Sequence, residues 1–373
     1  MINYPFRKIT IGLLIFGPAF LAGCSAEEDD GEPEENTEEA GEAVGSVSEA
    51  STEDWNVEVL AENLDVPWSL NIHEDTYYMT NRGGDVIEVT GEEKERLPLA
   101  ASDEIVNEGE GGLLGFVLAE DFADSSKGYA YYTYRQNDGA LANKVVAVER
   151  ESSQWSETEV LLDDIPGDRI HNGGRLEIGP DGYLYATAGD SDEPSLAQDE
   201  DSLAGSILRM TVDGEVPEGN PFENSYVYSY GHRNPQGIAW NSTGKLYSSE
   251  HGPNAQDEIN VIEPGNNYGW PEITGSESAE DLDAPVVQSG STTWAPSGTA
   301  FLEDTLLVAG LRGESLYAYD EEAEEMNAVF EGEGRLRDVK TGDGGVYVLT
   351  NNTDGRGSPS ENDDQLLKLT LNE

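Results

Sequence analysis

The chain has 373 residues, with 76 Asp plus Glu against 20 Lys plus Arg, a formal net charge of −56. A surface of that sign repels phosphate backbones and excludes nucleic acid as a partner; it suits a protein kept soluble where salt screens its self-repulsion. One cysteine excludes intrachain disulfides and Cys-based metal clusters.

At the N-terminus, Arg7 and Lys8 form a basic n-region, and residues 9–20 form an apolar core followed by small residues, the layout of a secretion signal. That core is too short to span a membrane. The tetrapeptide Leu21-Ala22-Gly23-Cys24 resembles a bacterial lipobox, in which cleavage precedes the Cys and its thiol receives a diacylglycerol. Residues 1–23 are therefore expected to be a lipoprotein signal peptide and Cys24 the lipidation site. The mature protein is expected outside the cytoplasm, anchored to the bacterial cell membrane by lipid alone. Residues 24–54 are rich in Glu, Asp, Gly, Ser and Ala with almost no apolar side chain. Such a segment cannot bury enough surface to offset chain entropy and reads as a solvated acidic tether.

Residues 55–373 read as one all-β domain. β-branched and aromatic residues recur in short runs bounded by Gly, Asp and Asn, without a convincing helical period. A unit made of an apolar strand, a turn and a second strand ending in small or polar residues repeats at 68–90, 175–190, 237–252, 299–320 and 337–353, with a divergent copy at 113–136. Six units over about 320 residues give roughly 53 residues each, the size of a four-stranded antiparallel propeller blade with long connections. A six-bladed β-propeller is expected, in which loops from every blade converge on one end of a central channel.

Three of the four histidines, His171, His232 and His251, lie in Gly- and Asn-rich strings, namely IHNGGRLEIGPDG, GHRNPQG and SSEHGPN. With EGGLLGF at 110–116, LAGSILRMTVDGEVPEGNPF at 203–222, NNYGWP at 266–271 and RLRDV at 335–339, these strings closely resemble the soluble PQQ-dependent aldose sugar dehydrogenases, the glucose/sorbosone dehydrogenase group. The resemblance runs from about residue 60 to 369, with seven markers in family order.

The resemblance implies a quinone cofactor, PQQ, with Ca²⁺, and oxidation of the anomeric carbon of an aldose to a lactone, with electrons passed to an external acceptor. It makes His171 the base that takes the C1 hydroxyl proton as hydride leaves for the quinone, a task that suits an imidazole titrating near neutrality. Asp190 becomes the carboxylate that orients His171. Arg233 becomes the cation at the quinone oxygen, where negative charge develops, and Asn234 a cofactor-binding amide. Arg335 and Arg337 match the pair that binds the cofactor carboxylates through guanidinium forks, although strand alternation points such neighbours to opposite faces unless a local twist or loop intervenes. Arg312 matches a further cofactor cation. Gly252 and Pro253 match the residues whose carbonyls bind calcium, a hard cation that takes oxygen ligands.

Substrate contacts are expected at Glu110, Gln198 and Trp294. Glu110 stands where many relatives have a glutamine, and an ionised carboxylate accepts hydrogen bonds without donating any. Asp257 and Glu258 resemble metal ligands only by charge and read better as strand-start or solvated residues, while NNYGWP reads as scaffold. Two other functions fit the same fold: a propeller lipoprotein that only binds sugar or protein, and a metal-dependent lactonase, which needs Asp, Glu or Asn side chains on the metal.

Overall fold

The computed structural model describes residues 46–342 and 344–372. The signal peptide expected over residues 1–23 and the lipidation site Cys24 lie outside them. The fold is all-β: apart from short 3₁₀ turns, the described residues contain one helix of a single turn, Phe122–Ser125.

The strands form four four-stranded sheets and one eight-stranded sheet. The eight-stranded sheet consists of two antiparallel four-stranded groups joined by a two-residue parallel contact of Leu99 and Ala100 with Trp155 and Ser156. The first strand of each group packs against its counterparts on either side, in the order Pro67–His73, Leu113–Leu118, Leu176–Ile178, Pro235–Trp240, Pro296–Leu302, Leu336–Gly342 and back to Pro67–His73. The six copies of the repeat read from the sequence begin at these strands. The ring is closed by the first and last strands of the described residues, because Trp55–Ala61 pairs antiparallel with Leu366–Leu371.

Burial follows from this arrangement. Strand Gly345–Thr350 is covered by neighbouring sheets on both faces and is buried along almost its whole length, whereas the outermost strand Trp55–Ala61 leaves Val57 and Val59 exposed. The apolar core is divided among the interfaces between successive sheets. Trp68, Leu114, Tyr131, Leu176 and Leu208 share one cluster, and Trp55, Leu307, Leu316, Val339 and Val348 share another. Each fully buried aliphatic side chain contributes about 1.5–3 kcal/mol. Polar bonds stitch the inner strands together: Asn71 Nδ2 donates to Phe116 O at 2.7 Å, and Ser249 Oγ to Ser297 O at 2.7 Å. Arg175 Nη1 meets Asp338 Oδ2 at 2.8 Å.

The tether expected over residues 24–54 overlaps nine residues that the structure places on the domain. Val47–Glu49 and Thr52–Asp54 form 3₁₀ turns, Ala50 is buried beside Trp55 and Phe330, and Thr52 Oγ1 accepts from Glu331 N at 2.9 Å. Val47 and Ala50 are the apolar residues of this stretch; Ala50 is buried, and Val47 packs partly buried against the same cluster.

In each antiparallel hairpin the start of the inner strand and the end of the second strand lie at one end of the sheet. Glu110, His171, Arg233, Trp294 and Arg335 precede inner strands, and Asp190, Gly252, Arg312 and Asp354 follow second strands. The topology therefore brings these residues to the same end of the ring.

Candidate active site

The centre of the site is His171. Its Nδ1 lies 2.7 Å from Asp190 Oδ1, and its Nε2 lies 2.9 Å from Arg233 Nη2. A guanidinium can only donate, so Nε2 carries the lone pair and Nδ1 the proton. That is the tautomer a general base needs, with the carboxylate behind it and the accepting nitrogen in front. Asp190 is fully buried and takes two further donors, the Trp270 indole Nε1–H at 2.8 Å and the Asp192 amide at 3.0 Å. These two donors fix the pair from behind.

Local sequence explains how these residues meet. His171 has φ 57°, a left-handed conformation rare for a residue with a side chain, and its amide is held by Glu110 Oε2 at 3.0 Å. Gly189, just before Asp190 in the TAGD string, lies against the same backbone: a Cβ there would stand 2.0 Å from His171 O. Only glycine lets the Asp190 strand pass this close.

Arg233 bridges two expected functions. Besides His171 it donates to the carbonyls of His251 at 3.2 Å and Gly252 at 2.9 Å through Nη1, and its guanidinium lies 5.4 Å from the centre of the Trp270 ring. Asn234 is buried and supports the base segment by accepting from Gly173 N at 3.1 Å.

Arg335 and Arg337 are both buried on the inner face, and the register of Leu336–Gly342 against Gly345–Thr350 shifts between Leu336 and Asp338. This bulge turns both arginines inward, where regular alternation would separate them. Their surroundings differ. Arg335 pairs with Asp354 at 2.8 Å, whereas Arg337 has only neutral partners: Gln236 Oε1 at 2.9 Å, Asn351 Oδ1 at 3.1 Å and Ser297 Oγ at 3.3 Å. Burial, and then the charge of Arg335, push the Arg337 guanidinium down to about 9; it stays charged at neutral pH without a counter-ion. The Arg312 side chain is exposed and has no polar partner among the described residues, although the preceding Leu311 gives its carbonyl to Arg335 Nη1.

Trp68, Arg82, Glu110, Gln236, His251 and Arg337 are among the residues lining a cavity of about 30 Å³, room for about one water. Side chains must shift to admit a fused-ring ligand. Three buried nitrogens nearby have no partner among the described residues, Arg175 Nη2, Arg233 Nε and His251 Nε2. A buried guanidinium with neutral neighbours and orphaned donors is the donor set an anionic cofactor such as PQQ requires. Burial also lowers the His251 imidazole below its usual range, against the opposing charges of Asp257 and Glu110.

For calcium, the described residues contain no group of three or more His, Cys, Asp or Glu side chains able to hold a metal. Gly252 O already accepts from Arg233 Nη1 at 2.9 Å, so an ion there would displace that guanidinium; with Pro253 O it would find two of the six to eight oxygens it takes, the rest having to come from cofactor and water. Asp257 sets this backbone in place. Its Oδ1 accepts from Gly252 N at 2.9 Å, and its Oδ2 accepts from Thr293 Oγ1, Trp294 N and Ala295 N at 2.6–2.8 Å. Asp257 and Glu258 are both inward-facing support, so the solvated alternative does not hold for either.

Two of the expected sugar contacts have partners within the chain. Gln198 commits both ends of its amide to the 267–270 loop, through Asn267 and Trp270 O, because its 3₁₀ turn Pro194–Gln198 packs beneath that loop. Trp294 is half-buried and packs on Tyr317 with ring centres 5.9 Å apart. Conversely, NNYGWP is more than scaffold, since Trp270 touches both Asp190 and Arg233. The sequence signal for Trp270 is its string alone; its partners lie 80 and 37 positions away. Glu250 is a second omission. Its carboxylate accepts His232 Nδ1–H at 2.9 Å and the Arg233 amide, tying the GHRN string to the strand that leads into Gly252.

Comparison with known proteins agrees with this geometry. The glucose/sorbosone dehydrogenase family model matches residues 64–367. The chain is 33% identical over 337 residues to the aldose sugar dehydrogenase YliI of Escherichia coli (strain K12), across 80% of this chain and 91% of that protein. It is 34% identical over 261 residues to quinoprotein glucose dehydrogenase B of Acinetobacter calcoaceticus, across 61% of this chain and 55% of that protein. Among solved structures, the PQQ-bound aldose sugar dehydrogenase of Streptomyces coelicolor aligns with a TM-score of 0.79 at 38% identity, over 87% of this chain and 100% of that one. The fold is a β-propeller of the type these dehydrogenases share. With most of the domain inside the matched model, the chain belongs to the glucose/sorbosone dehydrogenase family.

Proposed function

We propose that this protein is a PQQ- and calcium-dependent aldose dehydrogenase that oxidises the anomeric C1 hydroxyl to the lactone and passes the electrons to an external acceptor. We read the fold as six blades, counting the eight-stranded sheet as two. The observation that carries the functional reading is the base: His171 presents an Nε2 lone pair with Asp190 fixed behind it and Arg233 in front.

The substrate hydroxyl takes the place of Arg233 Nη2 at His171 Nε2, and its proton moves to that nitrogen. Asp190 stabilises the imidazolium that results, and the Trp270 and Asp192 donors hold Asp190 still. Arg233, released from the lone pair, would be a cation available to the acceptor where negative charge would build. Arg337, with Arg335, receives cofactor carboxylates, and the carbonyls of Gly252 and Pro253 contribute to calcium. When bound, PQQ supplies the hydride acceptor and calcium polarises it. The Leu21–Cys24 string supports a lipid anchor that holds the enzyme at the outer face of the cell membrane.

Adding PQQ and Ca²⁺ to purified protein, then following dye reduction with several aldoses, tests the reading. Aldose-dependent reduction that requires PQQ is expected; absence of both turnover and quinone binding rejects it.

A further inference from the structure

Glu110 was expected to meet sugar hydroxyls, yet both its oxygens are engaged within the chain. Oε2 accepts the His171 amide at 3.0 Å, and Oε1 accepts from Arg356 Nη2 at 2.9 Å. Burial alone would push this carboxyl up, but the His171 amide, Arg356 and His251 outweigh it and hold it below the usual carboxylate range.

The backbone around Glu110 is fixed independently. The Arg82 guanidinium grips the carbonyls of Gly109 and Gly111, and the Glu110 amide bonds Arg169 O at 2.7 Å. Gly109 lies so close to Arg169 that a Cβ would stand 1.9 Å from its carbonyl oxygen. These contacts leave the Glu110 side-chain torsions free, and their entropy opposes any single orientation. Arg356 supplies the missing constraint from a loop 246 positions away. It is itself placed by Asp354, whose Oδ1 accepts the Arg356 amide at 2.8 Å and whose Oδ2 accepts Arg335 Nη2 at 2.8 Å. An alternating run, Arg335, Asp354, Arg356, Glu110, therefore ends at the amide of His171, a residue whose left-handed backbone needs support.

We propose that Arg356 is a positioning residue for the base: by pairing with Glu110 it holds that carboxylate where its second oxygen caps the His171 amide. The kinetic part of this proposal rests on the reading of His171 as the base of an aldose dehydrogenase; the positioning part does not. Because the pair is partly exposed, its effect is modest.

The test uses the full protein with Arg356→Ala, Glu110→Gln and the double variant. Glu110→Gln keeps an oxygen for the His171 amide but turns its NH₂ toward Arg356, which breaks the pair alone. Arg356→Ala is expected to lower kcat about three- to fivefold, with KM for the aldose changed less than twofold. In the Glu110→Gln background the same substitution should cost nothing further, and high salt should narrow the gap between wild type and Arg356→Ala. Hydrogen exchange of the 169–172 amides should quicken in Arg356→Ala by a similar factor, a readout that needs no turnover. Unchanged exchange overturns the proposal, as does an equal kcat loss in both backgrounds. A change in KM alone also overturns it and assigns Arg356 to the sugar. If wild type neither binds PQQ nor oxidises aldoses, the functional reading fails while the exchange comparison still decides the role of Arg356.

Discussion

Replacing Glu258 by Gln should stabilise the protein, and by an amount that grows with pH. Glu258 begins the strand Glu258–Ile262 directly opposite Glu250, which spends its charge on His232 and the Arg233 amide. Two like charges facing each other across a buried ladder are unfavourable. Burial, and then the Glu250 charge, push the Glu258 carboxyl from 4.5 up to about 8, so it is protonated at neutral pH. In the unfolded chain it ionises near 4.5, so the folded state binds the extra proton between those values. Stability conferred by this residue therefore falls as pH rises from 4.5 to about 8 and is level above that. The gap corresponds to a few kcal/mol. Gln keeps the acceptor for Gly275 N, bonded at 2.8 Å in wild type; its NH₂ replaces the oxygen that accepts from Asn260 Nδ2 at 3.4 Å, and a turn of the Asn260 amide brings its buried, unpartnered Oδ1 to that NH₂. Urea unfolding of both proteins at constant ionic strength, from about pH 5.5 to 8.5, should show the variant's advantage widening by on the order of 3 kcal/mol. The large acidic surface repels itself equally in both proteins and cancels from the comparison. An advantage constant across the range would refute the reasoning.

Other substitutions separate the parts of the site. His171→Gln should reduce dye-linked turnover by about 10²–10⁴-fold while quinone binding, followed by fluorescence quenching, persists. Trp270→Phe removes one donor from Asp190 and leaves a buried acceptor short, at about 1–3 kcal/mol; kcat should fall roughly tenfold with the aldose KM little changed. Arg337→Met should weaken PQQ affinity by about 10–100-fold, the loss expected for a charge-assisted bond, when titrated without substrate.

What was legible in the sequence depended on the range of the interaction concerned. The strands showed because alternation and turn residues act over a few positions, and the repeat at 68–90 through 337–353 showed because each copy has to build the same hairpin. The strings around His171, Arg233 and Gly252 showed for the same reason, since each packs several functional groups into a short loop. The tether boundary was misjudged because the two apolar residues that dock it, Val47 and Ala50, are too sparse to register in a composition dominated by acids.

Pairings across the ring were hidden. Gln198 reads as a sugar contact from its loop alone, and its bonds to Asn267 and Trp270, 69 and 72 positions away, show only in the fold. Arg335 and Arg337 alternate in the sequence, and the bulge that turns both inward belongs to the pairing of two strands. The sequence by itself determined an all-β repeat and which residue types would carry the chemistry. The tertiary structure alone decided which nitrogen of His171 carries the lone pair, that Arg337 is the buried cation without a carboxylate, and that Glu110 is bound to Arg356. Those are properties of distances between groups far apart in the chain, and closing the ring of sheets is what sets them.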